Sequence, residues 1–433
     1  MNPSAFGSAV AASILLPAAS HAQFFLVSEL FDTSPFDQVV IRSVSADGRV
    51  IAGTTGITIT PSVLQPDGTI IPSEVEGRGF VWSAAGGFTE IPAFEVVPDI
   101  PGYLDPATAT PFSSVTALSG DGSTVGGVSN GIAFRWTEAG GLEALTTGAD
   151  GPAIVNDLSF DGSVAVGSTN SFATIPGAPD PLPTDDEGFL WRDGEGLTRF
   201  TELGPVPERT LGVGISDDGQ TIVGLELGPT GSGFDANLRY FRTGDAGGIE
   251  VVDFASTPAS AGDVLDVSDD GSTLVGSAIN EAGTVLDAFR FTTDGGFESL
   301  TEDVLAGADS VVAFAQVVSP DGSVVIGQYS AVFGALTGDV ETREGDFIWT
   351  EDRGFRDFDE FVTGDLGIDL PDLDLRVFEI SSDNRTLIGV ASTLGDELIV
   401  ESFVLRIPAP GAAAGLLVCF GGMRRRHRTG AVC

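Results

Sequence analysis

The chain contains 433 residues, carries a formal net charge of −42 and is 42% hydrophobic, which predicts a folded and strongly acidic globular protein. All 20 basic residues are Arg, and every Cys, His and Met lies in residues 1–22 or 408–433. Between these ends the composition excludes disulfides, thiolate or imidazole metal sites, Ser-His-Asp and Cys-His catalysis and lysine Schiff bases, and its charge excludes nucleic-acid binding.

The first 22 residues have the features of an export signal. An apolar stretch runs from Ala9 to Ala19, and Ser20-His21-Ala22 fits small-x-small cleavage before Gln23. The segment resembles a secretory signal peptide, although no Lys or Arg precedes its apolar stretch. The alternative is an apolar N-terminal strand of the folded domain.

One ten-residue phrase recurs seven times after this segment. The copies are VSADGRVIAG, LSGDGSTVGG, LSFDGSVAVG, ISDDGQTIVG, VSDDGSTLVG, VSPDGSVVIG and ISSDNRTLIG. Each predicts a strand, a tight Ser-x-Asp-Gly turn in which the Asp binds nearby amides, and a second strand. In the last copy Asn384 replaces the Gly, and Asn also tolerates a positive φ.

A second phrase follows each of the first six copies, most clearly as FVWSAAGGF, FRWTEAGGL, FLWRDGEGL, FRFTTDGGF and FIWTEDRGF. It predicts another hairpin, with the four Trp buried in the core. Two hairpins per unit make the four strands of a propeller blade. The alternating phrases resemble the HAF family of extracellular repeat proteins over about residues 24–407, and this resemblance implies a secreted repeat protein.

These units predict an all-β fold, a seven-bladed β-propeller of four-stranded blades in residues 23–407. The last unit lacks a fourth strand, whereas Phe24 to Leu30 belongs to no unit. We therefore expect the N-terminal strand to close the last blade and remove two exposed sheet edges.

The long connections between repeats predict the position of a binding site. In an up-and-down blade they lie on the face opposite the tight turns, and binding sites are often built from such loops. The segments are Thr54 to Gly79, Ile91 to Ser114, Thr169 to Gly188, Ser330 to Asp346 and Asp357 to Asp374.

Carboxylate chemistry and oxygen-ligand metals are the chemistry that this composition allows. Calcium is the one cofactor left open, because it takes six to eight oxygen ligands and two loops are rich in acids. Its candidate ligands are Asp180, Asp185, Asp186 and Glu187 in one loop, and Asp365, Asp369, Asp372 and Asp374 in the other. Neither loop matches a known calcium motif, and a solvated acidic surface is the alternative.

The C-terminal residues 408–433 predict a sorting tail. Pro408 and Pro410 interrupt regular structure, Ala412 to Met423 is apolar, and an Arg cluster follows. The cluster consists of Arg424, Arg425, Arg426 and Arg428. This order resembles the PEP-CTERM signal, which implies cleavage by an exosortase-like enzyme, only transient membrane contact, and delivery to the surface or matrix of a Gram-negative bacterium. A short permanent anchor is the alternative.

Together these features predict an exported, non-catalytic cell-surface or matrix propeller that binds a polysaccharide or a protein through its long-loop face. Two alternatives stay open. One is a carboxylate-based glycoside hydrolase or lyase on the same scaffold, for which two carboxyls must flank the scissile bond. The other is a purely structural matrix component.

Overall fold

The computed structural model describes residues 22–407 except 34–35, 37, 61–62, 65–69, 72–73, 95–110, 148–149, 174–181, 205–209, 227–238, 244–248, 254–258, 281–284, 293, 302–303, 335–339, 371–372 and 394–399. Residues 1–21 of the predicted signal and the whole predicted sorting tail, including Pro408, Pro410 and Arg424 to Arg426, therefore lie outside the described residues.

Antiparallel strands dominate the described chain, and most of them form four-stranded sheets, as expected for propeller blades. One sheet contains β2 (Val39–Val44), β3 (Val50–Thr60), β6 (Glu74–Ser83) and β7 (Gly87–Ile91). Along the chain between β3 and β6, β4 (Val63–Leu64) and β5 (Ile70–Ile71) form a separate small pair. The next contains β8 (Ser113–Leu118), β9 (Thr124–Ser129), β10 (Ile132–Thr137) and β11 (Gly141–Ala144). A third contains β12 (Ala153–Leu158), β13 (Val164–Ala173), β14 (Leu182–Arg192) and β15 (Gly196–Arg199).

The fourth repeat forms two strand pairs, β16 (Thr210–Ile215) with β17 (Ile222–Glu226), and β18 (Arg239–Thr243) with β19 (Ile249–Asp253). The fifth contains β20 (Ala259–Val267), β21 (Thr273–Asn280), β22 (Val285–Thr292) and β23 (Gly296–Ser299). The sixth contains β24 (Ser310–Val318), β25 (Val324–Phe333), β26 (Glu341–Thr350) and β27 (Gly354–Asp357). A short parallel pairing of β22 with β24 joins the fifth and sixth sheets.

The N-terminal strand pairs with the C-terminal end of the described chain. Strand β1 (Gln23–Leu26) is antiparallel to β30 (Val400–Arg406), in register from Gln23 opposite Arg406 to Leu26 opposite Phe403. The sheet is completed by β29 (Thr386–Thr393) and β28 (Leu373–Ile380). The first strands of successive units contact one another, and β28 in turn contacts β2.

The Ser-x-Asp-Gly phrases form the predicted turns. In the second copy the Oδ1 atom of Asp121 accepts hydrogen bonds from Ser119 Oγ at 2.7 Å and from the Ser123 N–H at 2.8 Å, and Ser119 Oγ accepts the Thr124 N–H at 2.9 Å. Gly122 has φ 73°, and Asn384 takes the equivalent conformation at φ 55°. The prediction that these Asp residues are turn formers is confirmed.

The turn glycines also pack against the preceding unit. A Cβ atom on each would lie within 3 Å of the side chain that opens the second strand of that unit, so the blades can approach only because no side chain is present. The contacts are Gly122 with Val50, Gly162 with Thr124, Gly219 with Val164, Gly271 with Thr221, Gly322 with Thr273, and Gly48 with Thr386.

Aromatic side chains of the second phrase fill the core, as predicted. Each of the four Trp is less than 10% exposed, and the Phe two residues before each Trp is fully buried. Arg side chains of one sheet stack on the Trp of the next: the Arg135 guanidinium lies 5.3 Å from the Trp191 ring centroid, and that of Arg290 lies 5.1 Å from Trp349. Such contacts hold neighbouring sheets together.

Two features differ from the sequence prediction. Strands β3, β13, β14, β25 and β26 extend into three of the segments predicted as long loops, so these connections are partly long hairpins. Short helical segments also occur, α1 (Val27–Leu30), α2 (Phe200–Leu203), α3 (Phe358–Glu360) and a π-helical turn (Phe361–Asp365). No helix within the described part of the chain has the length and apolar character to cross a bilayer.

Candidate functional site

The second residues of the Ser-x-Asp-Gly turns come together on the tight-turn face. This set, called the turn cluster below, consists of Ala46, Gly120, Phe160, Asp217, Asp269, Pro320 and Ser382. Backbone hydrogen bonds join neighbouring members: the Phe160 N–H donates to Asp217 O at 3.0 Å, and the Asp217 N–H donates to Asp269 O at 2.9 Å. The turns of successive units therefore lie side by side.

One side-chain hydrogen bond spans non-adjacent members of the turn cluster. Ser382 Oγ, in the last repeat, donates to Asp269 Oδ2 of the fifth repeat at 2.8 Å. Because the sixth repeat lies between them in the chain, this bond requires the turns to converge on a common centre. The turn cluster is therefore where side chains from several units meet.

Two carboxyl groups of the turn cluster share a hydrogen bond. Asp217 and Asp269 are equivalent residues of adjacent repeats, and their side chains lie within hydrogen-bonding reach of each other. Burial, followed by the charge of Asp269 and the hydrogen bond to it, raises the pKa of Asp217 to about 7. Burial also raises the pKa of Asp269, against the lowering effect of hydrogen bonds from Ser382 and Asp217. Because the pKa of each group is raised and each charge disfavours ionisation of the other, the pair favours one protonated and one ionised carboxyl in mildly acidic solution.

One member of the turn cluster is an exposed aromatic residue. Phe160 is 42% exposed, which is unusual for a large apolar side chain in this protein. Its ring lies against Gly120, where an added Cβ atom would be 2.5 Å from Phe160 Cδ2. The ring therefore packs on the turn of the second unit, while the Phe160 N–H donates to Asp217 O of the fourth.

Three more carboxyls lie behind the turn cluster on the first strands of the units. Each stands two residues before the Ser of its turn phrase and accepts a backbone N–H from the first strand of the following unit. Asp157 Oδ2 accepts from Ile215 at 2.9 Å, and Asp266 Oδ2 accepts from Val318 at 2.8 Å. Glu379 Oε1 accepts from the Val44 N–H at 3.1 Å.

The electrostatic environment of these three groups, called the axial carboxyls below, favours their neutral forms. Burial is the main cause of the shift in each case. It raises the pKa values of Asp157 and Asp266 to about 7 and the pKa of Glu379 to about 8, although hydrogen bonds from backbone N–H groups act in the opposite direction. Charges of other carboxyls add to the rise, including that of Asp269 acting on Asp157 and Asp266.

The first predicted calcium loop is only partly described. Asp180 and the side chains of Asp185 and Asp186 lie outside the described residues. The Glu187 carboxylate is paired with Arg199, whose Nη1 lies 2.7 Å from Glu187 Oε2. This carboxylate is therefore already neutralised by an arginine.

The second predicted calcium loop is also divided. Asp365 forms ion pairs with Arg353, at 2.8 Å, and with Arg356, while Asp369 is exposed. Asp374 lies instead near Asp346, whose pKa is raised to about 7, first by burial and then by the Asp374 charge.

Of the candidate ligands in this second loop, Asp372 lies outside the described residues. Within the described ranges, no three His, Cys, Asp or Glu side chains are arranged to hold a metal ion. Calcium binding stays a prediction.

Comparisons with known proteins bear on the fold. No family model and no curated protein sequence matches the chain. Among solved structures it is similar to the β-propeller domain of the Trilobed protease from Pyrococcus furiosus, with 10% identity, a TM-score of 0.45, and coverage of 85% of this chain and 94% of that one.

Two further solved structures are similar at the same level. Pyrococcus horikoshii acylaminoacyl peptidase has 10% identity and a TM-score of 0.47, with coverage of 91% of this chain and 55% of that one. TolB from Acinetobacter baumannii has 13% identity and a TM-score of 0.34, with coverage of 71% and 65%. The chain thus spans about half the length of the acylaminoacyl peptidase.

These neighbours contradict one prediction from the sequence. They are propellers of peptidases and of TolB, whereas the sequence predicted a non-catalytic matrix module that binds a polysaccharide or protein through its long-loop face. That prediction is wrong. It relied on loop length and on the lack of His, Cys and Lys, and did not consider the convergence of carboxyl groups at the turns. With TM-scores below 0.5, the neighbours assign no substrate to this chain.

Proposed function

We propose that the chain is an exported, closed seven-bladed β-propeller in which Asp217 and Asp269 form an acid–base site for hydrolysis of amide or ester bonds. The export signal and the PEP-CTERM-like tail support delivery to the cell surface, with an exosortase-like enzyme as the processing partner. The observation that carries the catalytic proposal is the placement of two partly exposed carboxyls, Asp217 and Asp269, on adjacent turns joined by the Asp217 N–H bond to Asp269 O at 2.9 Å.

Contacts between the last and first units support closure of the ring. Besides the hydrogen bond from the Val44 N–H to Glu379, the Asp383 N–H donates to Ala46 O at 3.0 Å. The Gly48 turn also packs against Thr386, as the turn glycines of the second to sixth units pack against their preceding units. With β1 as the outer strand of the last sheet, these contacts account for a ring without exposed ends.

The spacing of the two carboxyls discriminates between hydrolytic mechanisms. Retaining glycosidases hold their carboxyls about 5–5.5 Å apart and inverting ones about 6.5–9.5 Å apart. Asp217 and Asp269 interact directly through their side chains, an arrangement in which no scissile bond lies between the two carboxyls, so this pair does not support the glycosidase alternative. A pair with one shared proton suits activation of water beside a carbonyl group.

Each proton in this reaction has a defined origin and destination. The ionised Asp269 takes a proton from a water molecule as its oxygen attacks the substrate carbonyl carbon. Asp217 gives its proton to the carbonyl oxygen, which produces a tetrahedral diol. Collapse of the diol breaks the carbon–nitrogen or carbon–oxygen bond as the proton on Asp269 passes to the leaving group, and a diol hydroxyl returns a proton to Asp217 as the carbonyl re-forms. Ser382 holds Asp269 through its hydrogen bond at 2.8 Å and stabilises the ionised form.

The test is hydrolysis of an unfolded protein and of aryl ester substrates by the purified protein between pH 4 and pH 8. We expect a bell-shaped profile whose basic limb falls near pH 7, where Asp217 loses its proton. Asp217→Asn and Asp269→Asn should each reduce the rate by about 10²–10⁴-fold. Asp294→Asn, the same chemical change at an exposed turn residue, is the matched control.

The catalytic proposal fails if folded wild-type protein hydrolyses neither substrate class. It also fails if both Asp→Asn variants keep the wild-type rate. Melting curves of all variants establish that a lost rate is not lost structure.

A further inference from the structure

The axial carboxyls Asp157, Asp266 and Glu379 occupy one repeat position in alternate units. Each accepts a backbone N–H of the next unit, and Ser43, at the same position in the first unit, accepts the Leu118 N–H at 3.1 Å. Four junctions between units are thus joined by a side chain at this position.

Very little positive charge faces these groups. Strands β8, β16 and β24, which pack beside the strands that carry the axial carboxyls, contain no ionisable residue. Strand β2 contributes Arg42, whose guanidinium lies 5.2 Å from the Phe378 ring centroid and, among the described residues, forms no ion pair with Glu379. The strands that bear the carboxyls add Asp263, Asp374 and Arg376.

Negative charges act on the axial carboxyls from several directions. Glu379 experiences the charges of Asp157 and Asp266, and Asp157 experiences those of Asp266 and Asp269. The three groups are therefore close enough to interact, and ionising all of them would place three like charges among the first strands of the ring.

We propose that the axial carboxyls make the propeller a pH-responsive ring, whose units are held tightly while these groups are protonated and separate more readily once they ionise. Protonation removes the mutual repulsion and leaves oxygen atoms that still accept the N–H groups of the following units. Ionisation keeps those hydrogen bonds but adds charges on half-buried side chains that the surrounding strands do not neutralise. This inference is independent of the proposed catalytic function.

The direction of the pH dependence follows from proton linkage. The folded-state pKa values of Asp157, Asp266 and Glu379 are about 7, 7 and 8, above the ordinary values of 3.8 for Asp and 4.5 for Glu. A raised pKa means that folding takes up protons, so the favourable contribution is complete below about pH 4 and is lost as the pH rises toward 8. Near pH 6 the three axial carboxyls together take up nearly three protons when the protein folds. For each of these protons, the equilibrium constant for unfolding rises about tenfold when the pH increases by one unit.

The test compares urea unfolding of the full chain from pH 5 to pH 8.5 in the wild type and in a triple variant, Asp157→Asn, Asp266→Asn and Glu379→Gln. These substitutions keep a carbonyl acceptor but cannot ionise. The wild type should lose stability steadily across this range. The variant should lose the part of the slope that the three axial carboxyls contribute, keep the part due to Asp217, Asp269 and Asp346, and exceed the wild type at pH 8.5. Glu298→Gln, an exposed carboxyl, is the control and should keep the wild-type slope.

A second measurement applies if the triple variant does not fold. Amide hydrogen exchange of the wild-type protein reports directly on the Ile215, Val318 and Val44 N–H groups. After correction for the intrinsic pH dependence of exchange, their protection should fall by at least tenfold between pH 5 and pH 8.5. Unchanged protection, or a triple variant with the wild-type pH slope, would overturn the proposal.

Discussion

The packing of turn glycines against the preceding unit makes a quantitative prediction at Gly322. Gly322 has φ 70°, and an added Cβ atom would lie 2.3 Å from Thr273 Oγ1 and 2.9 Å from Thr273 Cβ. Gly296 has a similar φ of 76°, but an added Cβ atom there would meet nothing within 4 Å. The two glycines therefore separate backbone strain from crowding between units.

Alanine at either position must adopt a left-handed conformation, which costs about 1–2 kcal/mol. Gly322→Ala also forces Thr273 or its strand to move, and overpacking of this kind costs about 1–3 kcal/mol more. We therefore expect Gly322→Ala to lose about 2–5 kcal/mol of unfolding free energy, against about 1–2 kcal/mol for Gly296→Ala.

Urea unfolding followed by tryptophan fluorescence measures this difference, because all four Trp are buried in the folded protein. Adding Thr273→Ala to Gly322→Ala removes the closest clashing atom and should restore part of the loss, which a double-mutant cycle quantifies. Equal losses for the two glycine variants, with no coupling to Thr273, would refute the argument that the glycines are needed for contact between units.

Three further predictions concern other contacts. Deleting residues 23–31 removes the strand paired with β30 and should abolish cooperative unfolding; a truncated protein that melts like the parent would contradict ring closure. Against the opposing effect of burial, hydrogen bonds from Ser323, Ser319 and Asn384 lower the pKa of Asp321 to about 2. The ionised Asp321 therefore stabilises the folded protein above about pH 4, and this stabilisation should be lost as the pH falls to 2. In acid unfolding, Asp321→Asn should lack this loss of stability between pH 4 and pH 2. Arg290→Met loses both stacking on Trp349 and a hydrogen bond to Gly322 O, and should cost about 1–3 kcal/mol in urea. Arg343→Met loses only stacking on Phe333 and an ion pair at an exposed site, and should cost less.

Much of the fold could be predicted because the repeat phrases specify local structure. Ser-x-Asp-Gly determines its turn through its own hydrogen bonds, and the Trp positions mark the buried face of the third strand. The extended hairpins were missed because segments such as the one after Thr54 mix strand-forming residues with glycine and proline, which favour loops. Helix α2 was missed because a four-residue helix has no detectable period.

The candidate site could not be predicted in the same way. Asp217 and Asp269 occupy turn positions where any polar residue is ordinary, and only the convergence of the units brings their carboxyls together. The axial carboxyls did leave a signal, because Asp157, Asp266 and Glu379 each interrupt an apolar strand two residues before the turn Ser. An ionisable side chain in such a strand is a group whose environment must be explained, and this signal could have been used.

The pairing of β1 with β30 also determines how the protein responds to force. Gln23 lies opposite Arg406, so both ends of the described body leave the sheet at the same point. Tension applied between these ends would pull the two strands apart from that point, breaking their hydrogen bonds one after another rather than all at once. The last sheet should consequently open at low force, before the other sheets begin to separate. Pulling across a hairpin in the middle of the chain would instead load many bonds together.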